Sequence, residues 1–430
     1  MSQRPWRNSL FTSLAGYQIG YLRPDLVAGL TVWAVLVPEA LAYATIAGVP
    51  PVVGLYAAVP ALILYAAAGS SRHLVVGPMS ATAALSAAII APLAAGDSTR
   101  AVALTTVLAL ATGIMGLLAG LVRLGFVASF ISEPVLKGFI IGLALTIIVG
   151  QVPKLLGIEK GGGNFFEQSW SVMRDLGQAD ALTALIGGLT LAAVLCVKRW
   201  IPLVPGSLLV VLVSIAAVAL FDLAERGVEI VGHIDAGLPA IGLPTAIGVS
   251  DYLDLVGPAV GVLLIGFAEG LGAAKTYAAK AGYTVDPNRE LLGLGAANVG
   301  SGLCSGMVVN GSLSKTAVNG AAGAKSQLSG LVVAALTVIT LLFLTGLFEQ
   351  LPEATLAGVV IAAVIELVDT AALVRLYRVW SSRLADIYGV AARADFLAAL
   401  AAMLGVLIFD TLPGLVIGIG VSMILLLYRV

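Results

Sequence analysis

Apolar segments of membrane-spanning length follow one another along almost the whole chain. A helix needs about 20 apolar residues to cross the hydrocarbon core of a bilayer. Hydrophobic residues make up 59% of the 430 residues, and charged residues make up only 11%. Soluble domains carry about 25% charged residues. The sequence therefore predicts an all-α polytopic membrane protein, and it excludes a soluble enzyme, a secreted disulfide scaffold and a disordered chain.

Fourteen transmembrane segments are predicted, with boundaries that are soft by several residues. Their apolar cores are 26–46, 52–68, 78–95, 101–121, 132–151, 180–198, 204–221, 252–272, 289–306, 311–323, 327–348, 353–369, 394–409 and 412–428. Two of them, 78–95 and 311–323, are short and follow stretches interrupted by Gly or Pro. The sequence also predicts an interfacial helix over residues 371–383.

Basic residues are unevenly divided between the two sides of this predicted topology. With the N-terminus inside, seventeen of the 23 Lys and Arg lie in cytoplasmic connections and five lie outside. Cytoplasmic loops of membrane proteins carry such an excess, so we predict a multi-pass protein of the cell inner (plasma) membrane with both termini in the cytoplasm. A net charge of −1 argues against a nucleic-acid partner. Cys196 and Cys304 lie in apolar segments and predict no disulfide framework.

An internal repeat is indicated by two copies of the pattern G-x-x-S-x-T-A. The copies are Gly77–Ala83 and Gly311–Ala317, and each opens one of the two short segments. A glutamate lies in the first helix of each half, Glu39 before the first copy and Glu269 before the second. The pattern predicts two halves, 1–221 and 222–430, each with seven segments. Because seven is odd, the second half must be inverted in the membrane.

Inverted repeats with paired broken helices are typical of transporters, whose substrate sites lie where the half-helices begin. A helix N-terminus presents unpaired N–H groups and a partial positive charge, so two facing N-termini bind an anion. We therefore predict an anion site built from Gly77, Ser80, Gly311, Ser312 and Ser314, with serine hydroxyls as added donors.

Three ionisable residues inside predicted spans complete the candidate site, because such groups are costly in lipid and usually functional. Lys315 lies in the first turn of the second half-helix, where a cation opposes the helix dipole unless an anion is present. A structural bridge from Lys315 to Glu39 or Glu269 is the open alternative. Glu39 is predicted to load and release a proton, since apolar surroundings favour the neutral carboxyl; a permanently protonated Glu39 at a helix contact is the alternative. Glu269 is predicted to position the site or hold a cation.

Several longer stretches resemble the sulfate permease family (SulP, solute carrier family 26). They are 25–31, 37–44, 47–56 followed by 69–78, 283–298, 311–319 with 323–327, and 394–430. These stretches are distributed along the sequence, so the resemblance extends over nearly the whole chain. The resemblance implies a fold of fourteen spans with a 7+7 inverted repeat, as in uracil-type transporters. It also implies a core domain (about 24–123 and 252–348), a gate domain (about 126–221 and 353–430), elevator-like transport and a homodimer.

The resemblance also implies site roles. The family's proton-coupling glutamate maps onto Glu39, and the serines and basic residue of its tenth span map onto Ser312, Ser314 and Lys315. Two departures are visible: the basic residue is usually Arg, and the STAS domain that usually follows the last span is not in this chain. Lys is a point charge without the bidentate fork of Arg, which affects selectivity among oxyanions.

These observations predict a secondary active anion transporter with no cofactor other than a coupling ion, a proton or Na⁺. The expected substrate is a small dianion, either sulfate or a dicarboxylate such as fumarate, carried by proton symport. A bicarbonate or chloride exchanger, an anion channel and a sodium-coupled symporter remain alternatives. A nucleobase transporter fits Lys315 less well, and no metal, nucleotide or nucleophile motif supports an enzyme.

Overall fold

The computed structural model describes residues 10–126, 133–159, 161–201, 205–234, 236–244, 247–365 and 390–409, together with the single residues 368, 374, 414, 417, 420, 421 and 424. The predicted interfacial helix 371–383 and the last predicted span, 412–428, lie almost entirely outside the described residues. The mostly helical fold is confirmed, whereas the number of fourteen spans stays a prediction.

The described residues of the first half form eight α-helices and one short strand, besides short 3-10 turns. They are α1 (Leu22–Ile46), α2 (Val52–Ala68), β1 (Val75–Gly77), α3 (Ser80–Ala94), α4 (Ser98–Leu121), α5 (Glu133–Leu156), α6 (Phe165–Asp175), α7 (Ala181–Trp200) and α8 (Gly206–Phe221). Helix α6 lies between the predicted spans 132–151 and 180–198. It begins with a capping box in which Asn164 and Glu167 bond each other's backbone N–H groups.

The second half repeats the order of a long helix, a strand and a short helix. Its elements are α9 (Val249–Asp254), α10 (Val256–Ala281), α11 (Pro287–Leu303), β2 (Asn310–Ser312), α12 (Leu313–Ala321), α13 (Leu328–Ile339), α14 (Glu353–Val364) and α15 (Val390–Phe409). Helix α13 continues as a π-helical turn, Thr340–Leu344, and a 3-10 turn, Thr345–Phe348. In the described part of the chain, six helices are long and apolar enough to cross a membrane.

Helix ends and close contacts have clear local causes. Asp97 and Asp286 accept hydrogen bonds from the first-turn N–H groups of α4 and α11, respectively. Helices α4 and α11 approach each other through glycines: a Cβ added at Gly295 would lie 2.6 Å from the backbone nitrogen of Leu117. Small residues allow such contacts between membrane helices, so any side chain at Gly295 would push the two helices apart.

Two buried carboxylates accept hydrogen bonds from chain segments that lie just before α3 or just after α12. Glu290, at the start of α11, accepts hydrogen bonds from Tyr65 Oη at 2.7 Å, from Ser70 Oγ at 2.6 Å and from the N–H groups of Ser70 and Ser71. Asp25 in α1 accepts the N–H groups of Lys325 and Ser326. Both carboxylates are fully buried. Their hydrogen-bond donors offset the free-energy cost of removing the charges from water.

Two connections between helices pair with each other through their backbones. Ile230 forms an antiparallel bridge with Pro352, and the N–H of Val231 donates to the carbonyl of Leu351 at 2.9 Å. The first segment leads from α8 to α9, and the second leads from α13 to α14. The bridge therefore ties these two connections to each other.

Candidate functional site

The two short helices, α3 and α12, begin next to a single two-stranded sheet whose residues are all buried. Strands β1 and β2 are antiparallel, with Val75 opposite Ser312, Val76 opposite Gly311 and Gly77 opposite Asn310. Helix α3 starts at Ser80 and helix α12 starts at Leu313. The two G-x-x-S-x-T-A motifs, found 234 positions apart, are therefore brought to one place by strand pairing.

Ser312 organises the N-terminus of α12. Its hydroxyl accepts the N–H of Lys315 at 3.2 Å, as an N-cap does, and lies 3.2 Å from the hydroxyl of Ser314. Thr316 accepts the N–H of Val75 at 3.1 Å and donates its own hydroxyl to the Ser312 carbonyl. These bonds fasten α12 to the opposite strand and fix the position of the first turn.

Lys315 is buried at this N-terminus and forms an ion pair with Glu39. Its Nζ lies 2.6 Å from Glu39 Oε2 and 3.3 Å from the carbonyl oxygen of Pro78, and its side chain is 1% exposed. The ammonium also lies over the ring of Tyr43, 5.0 Å from the ring centroid. Glu39 and Tyr43 are one turn apart on α1, so one face of that helix supplies both contacts.

This pair is the bridge that the sequence left open for Lys315, and it joins the two halves of the chain. A cation in the first turn of α12 opposes the helix dipole, and the carboxylate of Glu39 offsets that repulsion. The carboxylate thus occupies the place beside Lys315 that a substrate anion would need. The role of Lys315 as an anion ligand stays a prediction.

Glu269 has a different environment from Glu39, although the motif spacing relates the two. Its Oε2 is buried on α10 and has no hydrogen-bond partner among the described residues. The positive charge of Lys315 acts on this carboxyl, but the ion pair goes to Glu39. The amide nitrogen of Asn310, which packs against Gly266 and Gly270 of α10, is also buried and has no hydrogen-bond partner in the part of the chain that the structure describes.

A cavity of about 210 Å³ reaches this ion pair from between the helices. Its lining includes Glu39 of α1, Ser314 of α12, Lys198 of α7, and Gly206 and Ser207 of α8. A larger cavity of about 550 Å³ lies between the start of α4 and residues 240–244, and none of the described residues that line it is ionisable. The smaller cavity is therefore the one with the chemistry of an ion site.

The structure brings most of the predicted residues together. Glu39, Lys315, Ser312 and Ser314 are linked by contacts, whereas Gly77, Gly311 and Ser80 form the strands and the first turn of α3 beside them. Glu269 is nearby without a direct bond to the pair.

Sequence reasoning missed three neighbours. Thr316 could have been found, because it is the shared T of the repeated motif. Tyr43 could have been found from its spacing of four residues from Glu39. Lys198 gave no signal, because only the folded chain shows that the last turn of α7 faces the same cavity.

A multi-pass membrane protein whose two half-helices open from paired strands onto a buried ion pair has the architecture of a membrane transporter. The sequence profile of the sulfate permease family matches residues 22–388. The chain belongs to this family, whose members are transporters and not enzymes.

Relatives of known name cover the chain almost completely. It is 38% identical over 414 residues to "Probable sulfate transporter MT1781" of Mycobacterium tuberculosis, an alignment that spans 96% of this chain and 72% of the other. It is 31% identical over 437 residues to "Sulfate transporter 1.3" of Arabidopsis thaliana, spanning 96% of this chain and 63% of that protein.

Solved structures share the fold at lower identity. The murine Solute Carrier 26 family member A9 anion transporter, in an inward-facing state, superposes with a TM-score of 0.89 at 23% identity, covering 100% of this chain and 74% of that one. The transmembrane domain of the cyanobacterial bicarbonate transporter BicA superposes with a TM-score of 0.77 at 22% identity, covering 94% and 98%.

Proposed function

We propose that the protein is a secondary active transporter that carries a small dianion together with a proton. The observation that carries the proposal is the buried pair of Lys315 and Glu39 at the N-terminus of α12, 2.6 Å apart. A cation held by a carboxylate that can be protonated is a site at which a proton and an anion can be exchanged.

The coupling follows from competition for Lys315. When Glu39 is ionised, its carboxylate satisfies the ammonium, and a second anion beside it would meet repulsion between like charges. When Glu39 takes a proton, it loses its charge and releases Lys315 to the incoming anion. The N–H groups of α12 and the hydroxyl of Ser314 add donors to the same anion. Anion and proton thus bind together and leave together.

Proton symport also suits the energetics of a dianion. Moving negative charge into a cell with an inside-negative potential costs about 2.3 kcal/mol per charge per 100 mV. Each proton carried along offsets one charge. Transport of a dianion together with one or two protons therefore moves less charge against the membrane potential than transport of the dianion alone.

Sulfate is the first candidate substrate, because two relatives that align over most of this chain are named sulfate transporters. A dicarboxylate such as fumarate is the second. Lys315 supplies a point charge and no bidentate fork, so tetrahedral and planar anions are both accommodated by its chemistry.

Sodium coupling is the alternative that a specific observation favours. The unpartnered Oε2 of Glu269 is the kind of oxygen that a cation or a proton would satisfy. A sodium ion there would replace Glu39 as the coupling element. Exchange of bicarbonate or chloride, or passive flux through a channel, would need neither glutamate to titrate.

We further propose that transport is elevator-like, with α1–α4 and α10–α13 as the core and α5–α8, α14 and α15 as the gate. Close packing of α11 on α2 and α4, and of α5 on α14 and α15, supports two separate bundles. The antiparallel pairing of β1 and β2 supports a 7+7 inverted repeat of fourteen spans. A homodimer in the inner (plasma) membrane, with both termini cytoplasmic, completes the proposal.

Uptake into proteoliposomes under an imposed inward proton gradient tests the proposal. Labelled sulfate, fumarate and bicarbonate are compared side by side, with a sodium gradient as the control. We expect one dianion to accumulate and its uptake to collapse with a protonophore. Uptake that ignores the proton gradient and follows the sodium gradient would contradict proton coupling and would favour Glu269 as a cation site.

A further inference from the structure

Helix α6 has an exposed side on which an apolar edge lies next to a charged edge. Its 11 residues, Phe165–Asp175, are too few and too polar to cross a bilayer, because a spanning helix needs about 20 apolar residues. Phe166, Trp170 and Met173 are nevertheless each more than half exposed. A cluster of exposed apolar side chains marks a surface that contacts a membrane or another protein.

Helical geometry explains the two edges. Successive residues of an α-helix are about 100° apart, so Met173, Phe166 and Trp170 share an apolar stripe about 60° wide. Glu167 and Arg174 are also exposed, and the same spacing puts them together beside the stripe. The other residues of α6 are half-buried, and the helix packs on α5 and α15. An apolar edge beside a charged edge is typical of a helix that lies in the plane of a bilayer surface.

The ends of two membrane-crossing helices place α6 at the level of that surface. Helix α5 ends at Leu156 and α7 begins at Ala181, and both helices are long and apolar enough to span. The N–H of Asp180 donates to the carbonyl of Leu156 at 3.0 Å, so the two helix ends lie side by side. The side-chain amide of Asn164, the N-cap of α6, donates to the carbonyl of Ile408 near the end of α15 at 3.4 Å. Helix α6 therefore lies where α5 and α7 reach the edge of the hydrocarbon core.

We propose that α6 lies in the headgroup layer of the bilayer, with the stripe of Phe166, Trp170 and Met173 among the upper acyl chains. Tryptophan is enriched at this depth, because its ring is apolar and its N–H can bond to headgroups or water. Since α6 packs on α5 and α15, it attaches the bundle that these helices share to one surface of the membrane. The inference depends neither on the substrate nor on the coupling ion.

The charges on α6 indicate that apolar burial holds the helix and that attraction to anionic lipid does not. Arg174 forms an ion pair with Asp175, with Nε 2.9 Å from Oδ1, and Glu167 adds a negative charge. A helix held by anionic lipid carries an excess of Lys and Arg on its polar face. The lipid partner is therefore a bilayer of zwitterionic headgroups as well as an anionic one.

The chain offers a matched control within α6. Met173 is 69% exposed, and the side chain of its neighbour Arg174 is 67% exposed. A label at either position has similar freedom, so a difference between the two reports which edge of the helix faces lipid.

The experiment places a nitroxide spin label on the whole chain through Trp170→Cys, Met173→Cys or Arg174→Cys. Each variant also carries Cys196→Ala and Cys304→Ala, because these are the two cysteines of the sequence. In phosphatidylcholine vesicles, paramagnetic resonance measures collisions with oxygen, which dissolves in lipid, and with a water-soluble nickel chelate. We expect a several-fold higher ratio of oxygen to nickel collisions at positions 170 and 173 than at position 174. The ratios should not change when phosphatidylglycerol replaces part of the phosphatidylcholine.

Equal ratios at positions 173 and 174 would overturn the proposal, because α6 would then stand in water. Protection of positions 170 and 173 from both reagents would also overturn it, since protein and not lipid would cover the stripe. Spin–spin broadening between labels would in that case identify a second copy of the chain as the cover. A high oxygen ratio found only with phosphatidylglycerol would contradict the apolar account.

A second measurement needs no added cysteine and uses the native side chain of Trp170. Brominated phosphatidylcholine quenches the fluorescence of tryptophans that lie in lipid. We expect the quenched part of the emission to fall in Trp170→Phe, which keeps an apolar ring in the stripe. An unchanged quenched emission would place Trp170 outside the lipid. Thermal unfolding of every variant in detergent shows that the fold is retained.

Discussion

Glu39 and Glu269 precede the same motif in the two halves of the chain, but the fold treats them differently. Glu39 is bonded to Lys315 at 2.6 Å, whereas the Oε2 of Glu269 is buried without a hydrogen-bond partner among the described residues. The two motif copies differ between their Ser and Thr, where the second copy has Lys315 and the first has Ala81. Under the proposed function, this cation gives Glu39, but not Glu269, an ion-pair partner for which a substrate anion competes.

The largest effect should come from removing the cation. Lys315→Ala leaves Glu39 without its ion pair and removes the positive charge from the N-terminus of α12. Loss of one partner of a buried pair costs about 3–5 kcal/mol. We expect uptake to fall by at least about a hundredfold, and thermal unfolding in detergent to shift downwards unless Glu39 is neutralised as well.

Two variants separate binding from folding in that experiment. Lys315→Ala with Glu39→Gln removes both charges and should recover much of the stability without recovering uptake. Lys325→Ala removes a lysine whose side chain lies outside the site and should behave as wild type. Anion uptake by the double variant at the wild-type rate would show that Lys315 is a structural residue.

The second effect should come from neutralising Glu39 alone. Glu39→Gln keeps a hydrogen-bond acceptor for Lys315 but removes the competing charge. We expect downhill exchange of labelled anion to continue, and accumulation driven by a proton gradient to be lost. Counterflow and gradient-driven uptake, measured on the same vesicles, distinguish the two; retained accumulation would remove Glu39 from the coupling role.

A third variant contrasts the unpartnered acid with a fully partnered one. Glu290 accepts bonds from Tyr65, Ser70 and Ser71, and bonds to a charged group are worth about 1.5–3 kcal/mol each. Glu290→Gln should therefore lower the thermal stability clearly while leaving the anion affinity of the folded protein unchanged. A stability equal to that of wild type would show that the network contributes little.

The smallest effect is expected for Glu269→Gln. Its Oε2 loses no hydrogen bond on neutralisation, so stability should change by less than about 1 kcal/mol. Under proton coupling through Glu39, gradient-driven uptake should stay within about twofold of wild type. Loss of a sodium-dependent component in this variant would instead assign coupling to Glu269.

The sequence was sufficient for the parts of the site that depend on local pattern. Apolar segment length predicted α2 at 52–68, the bounds that the structure shows, and the repeated motif identified both half-helices. The family resemblance is also confirmed by the match to residues 22–388. These features depend on periodicity and on short motifs, which a single sequence displays.

The partners across the fold could not be predicted in the same way. The sequence left open whether Lys315 bridges to Glu39 or to Glu269, and only the packing of α1 against α12 shows that the partner is Glu39. Likewise, the pairing of Val75 with Ser312 and the position of Lys198 in the cavity depend on contacts between residues far apart in the chain. Helix α6 was missed because its amphipathic sequence lacks the continuous apolar run used to find spans.

The competition between Glu39 and the anion for Lys315 is tested most directly by the pH dependence of anion affinity. Binding of labelled sulfate or fumarate to purified protein is measured across a pH series, for wild type and for Glu39→Gln. If a proton on Glu39 releases Lys315, the wild-type Kd falls as the pH falls, by up to about tenfold per pH unit, and the Kd of Glu39→Gln does not change with pH. A wild-type affinity that ignores pH, or a pH dependence that survives in Glu39→Gln, would contradict it.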